Sequence, residues 1–84
     1  MFNGIIFNKG KVYKIQKRKK GINLFLKSSI KLFKKDIGIS ISCDGVCLTL
    51  ISCSKKIFEF YLSNETLNKS KFKNVKIGDL INLD

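Results

Sequence analysis

An all-β domain, a six-stranded antiparallel barrel of Greek-key type with one or two short helical turns, is the fold this sequence predicts. Three observations predict it. Apolar residues recur at every second position through several short segments, which is the period of a strand with one buried face. Turn-forming pairs, Asp44-Gly45 and Gly78-Asp79 among them, separate those segments as hairpin turns do. A chain of 84 residues buries only about 60–65% of its unfolded surface. A closed sheet therefore suits it, because closure removes strand edges that would otherwise need protection.

Taken in order, Gly4 to Phe7 is a short apolar run and Asn8-Lys9-Gly10 supplies turn chemistry. Lys11 to Ile15 then sets Val12 and Ile15 among polar residues, so this part reads as one strand interrupted by a bulge or as a tight pair. Gln16 to Gly21 is a charged hairpin tip. Ile22, Leu24 and Leu26 alternate with Asn23, Phe25 and Lys27 in a second strand returning along the first. Ser28 to Lys35 changes period: Ile30, Phe33 and the lysines are spaced as in a short helical turn, with Ser28 or Ser29 as its cap. Asp36-Ile37-Gly38 redirects the chain into a strand, Ile39 to Cys43, with Ile39, Ile41 and Cys43 on one face and Ser40 and Ser42 on the other.

Asp44-Gly45 is a strong hairpin signal, since both residues tolerate the positive φ that two-residue turns require. In the central strand beyond it, Val46, Leu48, Leu50 and Ser52 share the core face, while Cys47, Thr49, Ile51 and Cys53 share the other. Ser54-Lys55-Lys56 turns into a fifth strand, Ile57 to Leu62, in which Glu59 is the only charge. Ser63 to Ser70 predicts a single helical turn anchored by Leu67. Phe72 and Val75 pack the return, and Leu80 to Leu83 closes the sheet as a sixth strand. The chain is expected to be one domain, 1–84, with no second unit following.

A formal charge of +11, from sixteen Lys and one Arg against six acids, raises nucleic acid or an anionic membrane as partners. Recognition of phosphates and base edges favours Arg, yet Arg18 stands alone. The lysines are spread along the chain apart from Lys17-Arg18-Lys19-Lys20, a pattern expected of a solvated basic face. With no Ala, Pro, Trp or His but twelve Ile and seven Asn, the composition is biased in a way that could itself supply the lysine. No apolar run approaches the length needed to cross a bilayer, and no membrane partner is expected. Cys43, Cys47 and Cys53, with no secretory signal before them, are expected to be reduced thiols of a cytoplasmic protein. Without His, a zinc site lacks its usual ligand sets, and no metal is expected. No pair of carboxylates stands out, and a nucleophilic Cys47 would need a cationic neighbour to ionise.

Four stretches in a fixed order carry a resemblance: Met1-Phe2-Asn3-Gly4-Ile5-Ile6, Gly45-Val46-Cys47-Leu48-Thr49, Asn64-Glu65-Thr66-Leu67 and Gly78-Asp79-Leu80-Ile81-Asn82-Leu83. Together they make the chain similar, from Met1 to Asp84, to the amino-terminal half of the riboflavin synthases, the lumazine-binding barrel family. The resemblance implies an enzyme of riboflavin biosynthesis without a cofactor. Two molecules of 6,7-dimethyl-8-ribityllumazine would react with each other, one donating a four-carbon unit, to give riboflavin and 5-amino-6-(ribitylamino)uracil. The substrates carry most of the reactivity, so the protein's task would be to hold two rings face to face.

By the same resemblance, Gly4, Ile5 and Ile6 would touch one side of the ring. Cys47, Leu48 and Thr49 would line its floor, with Thr49 hydrogen-bonding a ring or ribityl oxygen. Tyr61, Leu62, Ser63, Asn64, Glu65 and Thr66 would form the opposite wall, Glu65 and Thr66 reaching ribityl hydroxyls. Phe2, Ser40 and Cys47 would support catalysis near the reacting ring. Asn3, where the family commonly has Thr, and Cys43-Asp44 before Gly45 depart from the pattern.

Members of the family carry two such barrels, and the site forms where the first barrel of one subunit meets the second of another. This single barrel is expected to pair with a second barrel or with its own copy, and alone to turn over slowly or not at all. Two other functions fit the residues: a non-catalytic lumazine or flavin carrier on the same barrel, and a basic barrel binding single-stranded nucleic acid, whose binding would fall steeply with salt.

Overall fold

Six strands form wherever the two-residue period holds and stop where turn residues interrupt it. The computed structural model describes residues 8–30 and 32–83. In it the strands are β1 (Asn8–Arg18), β2 (Gly21–Ser28), β3 (Ser40–Cys43), β4 (Val46–Ser54), β5 (Ile57–Ser63) and β6 (Leu80–Leu83). They close into an antiparallel barrel in the order β1-β2-β5-β4-β3-β6. The consecutive hairpins β3-β4-β5 have β2 set beside β5, which is the Greek-key arrangement. One short helix, α1 (Asn64–Asn68), and two 3₁₀ turns (Lys34–Asp36 and Lys71–Asn74) complete the chain.

Inward positions fill the barrel. Leu24, Leu26, Leu50, Phe60 and Leu62 are essentially without exposure, and Phe72, from the second 3₁₀ turn, plugs the interior beside them. The core is contiguous, with Leu67 of α1 and Val75 packed against it. The sequence expectation for the strands and for these two anchors therefore holds.

Where expectation and structure part, a bulge or a local hydrogen bond decides. Asn8-Lys9-Gly10 is not a turn but the start of β1. Gly10 is buried there, and a side chain on it would press on Leu83 and Leu26, so the glycine answers close packing. The bulge in β1 falls between Val12 and Lys14, so that Tyr13 and Lys14 both lie exposed and Ile15 beyond them packs on the core. A second bulge, between Leu50 and Ser52 in β4, reverses the faces beyond it. Ser52 points outward and donates its hydroxyl proton to the Glu59 carboxylate at 2.9 Å, while Cys53 packs on the core, the opposite of strict alternation.

Ser28 caps no helix. It ends β2, and its buried hydroxyl donates to the Lys9 carbonyl. The 3₁₀ turn begins later and is held by Asp36, whose carboxylate accepts the Phe33 N–H at 2.8 Å. Phe33 lies exposed, and so does Ile39, which alternation had set on one face with the buried Ile41 and Cys43.

The seam between β3 and β6 is the barrel's shortest, with one residue pair, Cys43 and Leu83. Asp44 reinforces it. Its backbone N–H donates to the Asn82 carbonyl at 2.7 Å and its carboxylate accepts the Asn82 N–H at 2.9 Å. The Lys71 ammonium lies 2.7 Å from the other oxygen. Burial alone would raise this carboxyl, but Lys71 and the Asn82 amide outweigh it and hold it below the usual carboxylate range. A depressed folded value means the contribution is complete above the unfolded pKa, about 3.9, and fades as pH falls through the folded one. The urea midpoint should accordingly drop between pH 5 and the acid limit, and drop less steeply in Asp44→Asn; parallel pH profiles for the two proteins would show that the seam does not depend on this charge.

Candidate ligand-binding face

Burial of Ile41, Cys43, Leu48 and Leu50 inside the barrel forces the residues between them outward. The β3–β4 register then sets Ser40 opposite Thr49 and Ser42 opposite Cys47. Four small polar side chains form a grid on the outside of one hairpin, about 5 Å across the strands and about 7 Å along them. Ser40, Cys47 and Thr49 are exposed and Ser42 is half-buried. Elsewhere in the fold, the hydroxyls of Ser28, Ser52, Ser63 and Ser70 all have partners. Among the described residues, those of Ser40, Ser42 and Thr49 have none, as is also the case for the exposed Ser29 and Ser54.

Beside the grid lies an apolar border. Ile51 follows Thr49 on the outer surface, and Ile37 and Ile39 are held alongside β4 by hydrogen bonds from Leu50 N–H to the Ile39 carbonyl (2.9 Å) and from Gly38 N–H to the Leu50 carbonyl (2.8 Å). All three isoleucines are between 39% and 45% exposed. A row of hydroxyls next to a patch of aliphatic surface suits a flat, heteroatom-edged ring: the face packs and the edge bonds.

The two thiols of the hairpin differ in access. Burial, then the Asp44 carboxylate and Cys47, push the Cys43 thiol up to about 12, which leaves it protonated and chemically idle. Cys47 stands in the open on the grid.

The structure brings together only part of the set expected from sequence. Ser40, Cys47 and Thr49 share the grid, and Tyr61 joins its border, since the β4–β5 ladder ends at Leu50–Phe60 and Thr49 and Tyr61 are the next residues along, both exposed. Leu48 and Leu62 are corrected: their side chains point into the core, 3% and 0% exposed, because strand alternation turns them away from the face, so only their backbone atoms could meet a ligand outside the barrel.

Ser63 sits opposite Gly21 of β2 and caps α1, its hydroxyl accepting the Thr66 N–H and donating to the Thr66 hydroxyl, both at 3.2 Å. Asn64 is exposed, and its backbone N–H donates to the Lys20 carbonyl. Glu65 pairs with Lys69 at 3.0 Å on the open side of the helix. These four residues therefore form a helix start with its own hydrogen bonds, paired with β2 rather than β4. Phe2, Gly4, Ile5 and Ile6 lie outside the described residues.

Sequence reasoning missed Ser42 and the three isoleucines as part of the face. The signal for Ser42 was present, as the outward partner of Ser40 in β3, but its place beside Cys47 needs the cross-strand register. A cleft of about 660 Å³ also went unforeseen; it opens between the first 3₁₀ segment and the β4–β5 hairpin, lined by Ile30, Leu32, Cys53, Phe58 and Lys55 among others, and includes none of the grid. Among the described residues no cluster of three or more His, Cys, Asp or Glu side chains could hold a metal ion, and no helix is long and apolar enough to cross a membrane.

Residues 3–84 match the lumazine binding domain family. The chain is 39% identical to a riboflavin synthase of Buchnera aphidicola, 36% to one of Chlamydia pneumoniae and 30% to one of Bacillus subtilis, each over its whole length. It covers 40%, 42% and 39% of those proteins respectively, so it spans about two fifths of the length of the curated relatives it matches.

Proposed function

Since the chain belongs to the lumazine binding domain family, we propose that the outer face of its β3–β4 hairpin holds the ring of 6,7-dimethyl-8-ribityllumazine or of riboflavin, and that it serves as one of two ligand-bearing barrels in riboflavin formation. The observation that carries this is the Ser40–Thr49 pair, two outward hydroxyls with no protein partner among the described residues, set against exposed isoleucines.

In this reading Thr49 and Ser40 bond oxygens or nitrogens at the ring edge, Ile51 and Ile39 pack under the ring, and the Cys47 thiol lies beside it. Tyr61 borders the ring on the β5 side. Thr66 and Glu65 reach the ribityl hydroxyls once the Glu65–Lys69 pair opens; that pair is exposed and weak enough to give way. The reaction is the transfer of a four-carbon unit from one lumazine to another, giving riboflavin and 5-amino-6-(ribitylamino)uracil. The barrel accelerates it by holding one ring at a fixed distance and angle from a second, on a second barrel or a second copy of this one; orientation of this kind reaches effective concentrations of about 10⁵ M and more. One loaded barrel by itself has no second ring to react with, so turnover by the isolated chain is slow or absent.

Titration of the protein with riboflavin and with the lumazine, followed by quenching of ligand fluorescence, tests the reading. Binding of at least one is expected, weakened about three- to tenfold in Thr49→Val, the loss of one neutral hydrogen bond. Failure of both compounds to bind, or unchanged affinity in Thr49→Val and Ser40→Ala alike, would overturn it.

A further inference from the structure

Charge and apolar exposure coincide on the side of the barrel away from the β3–β4 face. Between Asn8 and Ser28 the chain has eight cations and no acid, while the remainder is nearly balanced, nine cations against six acids. In sequence these cations already share one segment without an acid. The fold draws them onto one hairpin, with Lys9, Lys11 and Lys14 exposed along β1 and Lys17-Arg18-Lys19-Lys20 at its tip.

Three of the most exposed large apolar side chains in the described structure lie at the same place: Tyr13 at 57%, Ile77 at 68% and Leu80 at 61%. Tyr13 follows the buried Val12 and is the residue that the β1 bulge leaves without a partner in β2. Leu80 stands opposite Lys11 in the β1–β6 ladder. Hydrogen bonds at 2.8 Å from Gly78 N–H to the Val12 carbonyl and from Val12 N–H to the Asp79 carbonyl hold the loop bearing Ile77 against the bulge. The acid in this loop, Asp79, turns its carboxylate onto the Lys76 N–H.

We infer that this side of the barrel docks on an anionic lipid bilayer, Tyr13, Ile77 and Leu80 entering the headgroup layer while Lys9, Lys11 and Lys14 meet lipid phosphates. Two independent features favour lipid over nucleic acid. The cations are lysines, point charges suited to a diffuse anionic surface, whereas base and phosphate forks favour arginine. Two of the three exposed apolar residues are aliphatic, which gain from entering a hydrocarbon boundary and offer no stacking face to a base. The surface is distinct from the Ser40–Thr49 face, so docking leaves the proposed ligand site open.

Co-sedimentation with vesicles tests this. The protein should bind phosphatidylcholine vesicles containing phosphatidylglycerol and not phosphatidylcholine alone, and binding should weaken as salt is raised to about 0.15 M. Lys9→Gln, Lys11→Gln and Lys14→Gln together should lower the partition coefficient about ten- to a hundredfold. Ile77→Ser with Leu80→Ser should lower it about tenfold with every cation in place. A control with Lys34→Gln, Lys35→Gln and Lys69→Gln, equal in charge removed, should change it far less. Circular dichroism confirms that each variant is folded. Absence of binding to anionic vesicles, equal losses in the two lysine sets, no effect of the serine pair, or tighter binding to a single-stranded oligonucleotide than to the vesicles would each overturn the inference. Riboflavin titration of the triple glutamine variant is expected to match the parent, which keeps failure here separate from failure of the proposed ligand site.

Discussion

Gly21→Ala should remove a large share of the barrel's stability. Gly21 opens β2 opposite Ser63, and a methyl group built on it would lie 2.0 Å from the Leu62 carbonyl oxygen and 2.9 Å from the carbonyl carbon. Those are backbone atoms, so no side chain can swing aside to make room. Relief would require β2 to move away from β5, along a ladder that continues through Ile22–Leu62 and Leu24–Phe60 into the core. The next connection is pinned as well, since the Asn64 N–H donates to the Lys20 carbonyl at 2.8 Å. A loss of about 3–5 kcal/mol follows from a clash of this kind, against a total stability of roughly 4–12 kcal/mol for a domain of this size. Far-UV circular dichroism with urea titration measures it. A variant with the parent's midpoint would show that the seam accommodates a side chain and that the close approach is incidental.

Phe60→Ala should be nearly as damaging for a different reason. The ring is 1% exposed and sits between Leu24 of β2 and Leu50 of β4, its partners on either side. Truncation opens a void at the centre of a small core, and such changes remove about 3–5 kcal/mol. The neighbouring position supplies the control. Tyr61 faces outward and is 40% exposed, so Tyr61→Ser should shift the urea midpoint by an amount equivalent to less than about 1 kcal/mol. Similar losses at both positions would contradict the assignment of faces along β5.

Most of the fold was legible because strand alternation and turn chemistry are local. Asp44-Gly45 was readable as a hairpin, and Asp44 does adopt a positive φ of 51°. Lys55 and Lys56 take φ values of 48° and 69°, though lysine has no preference for that region; the turn could be placed from its flanking strands, not from its own residues. A bulge in β1 was one of two readings its residues allowed, but neither its position nor the bulge in β4 left such a mark. Each is a compromise between the registers of two neighbouring strands, and those partners lie elsewhere in the chain. That is why Ser52 and Cys53 were assigned to the wrong faces.

The candidate site divides in the same way. Cys47 and Thr49 were recognisable as an outward pair from alternation within β4, and Ser40 as outward in β3. Their meeting in one grid with Ser42 depends on the register between the two strands. The basic hairpin is a sharper case: its cations follow one another in the chain with no acid between them, but Ile77 and Leu80 reach Tyr13 only across the β1–β6 closure.

By itself, the order of residues determined the six strands, most of the turns between them, the family and most of the side chains that face in, because each follows from forces between near neighbours. Only the tertiary structure decided the register across the seams, the bulges, the bonding state of each hydroxyl and the surfaces assembled from distant segments. Those arise when strands far apart in the chain compete for the same hydrogen bonds and the same interior volume, and no local pattern records the outcome of that competition.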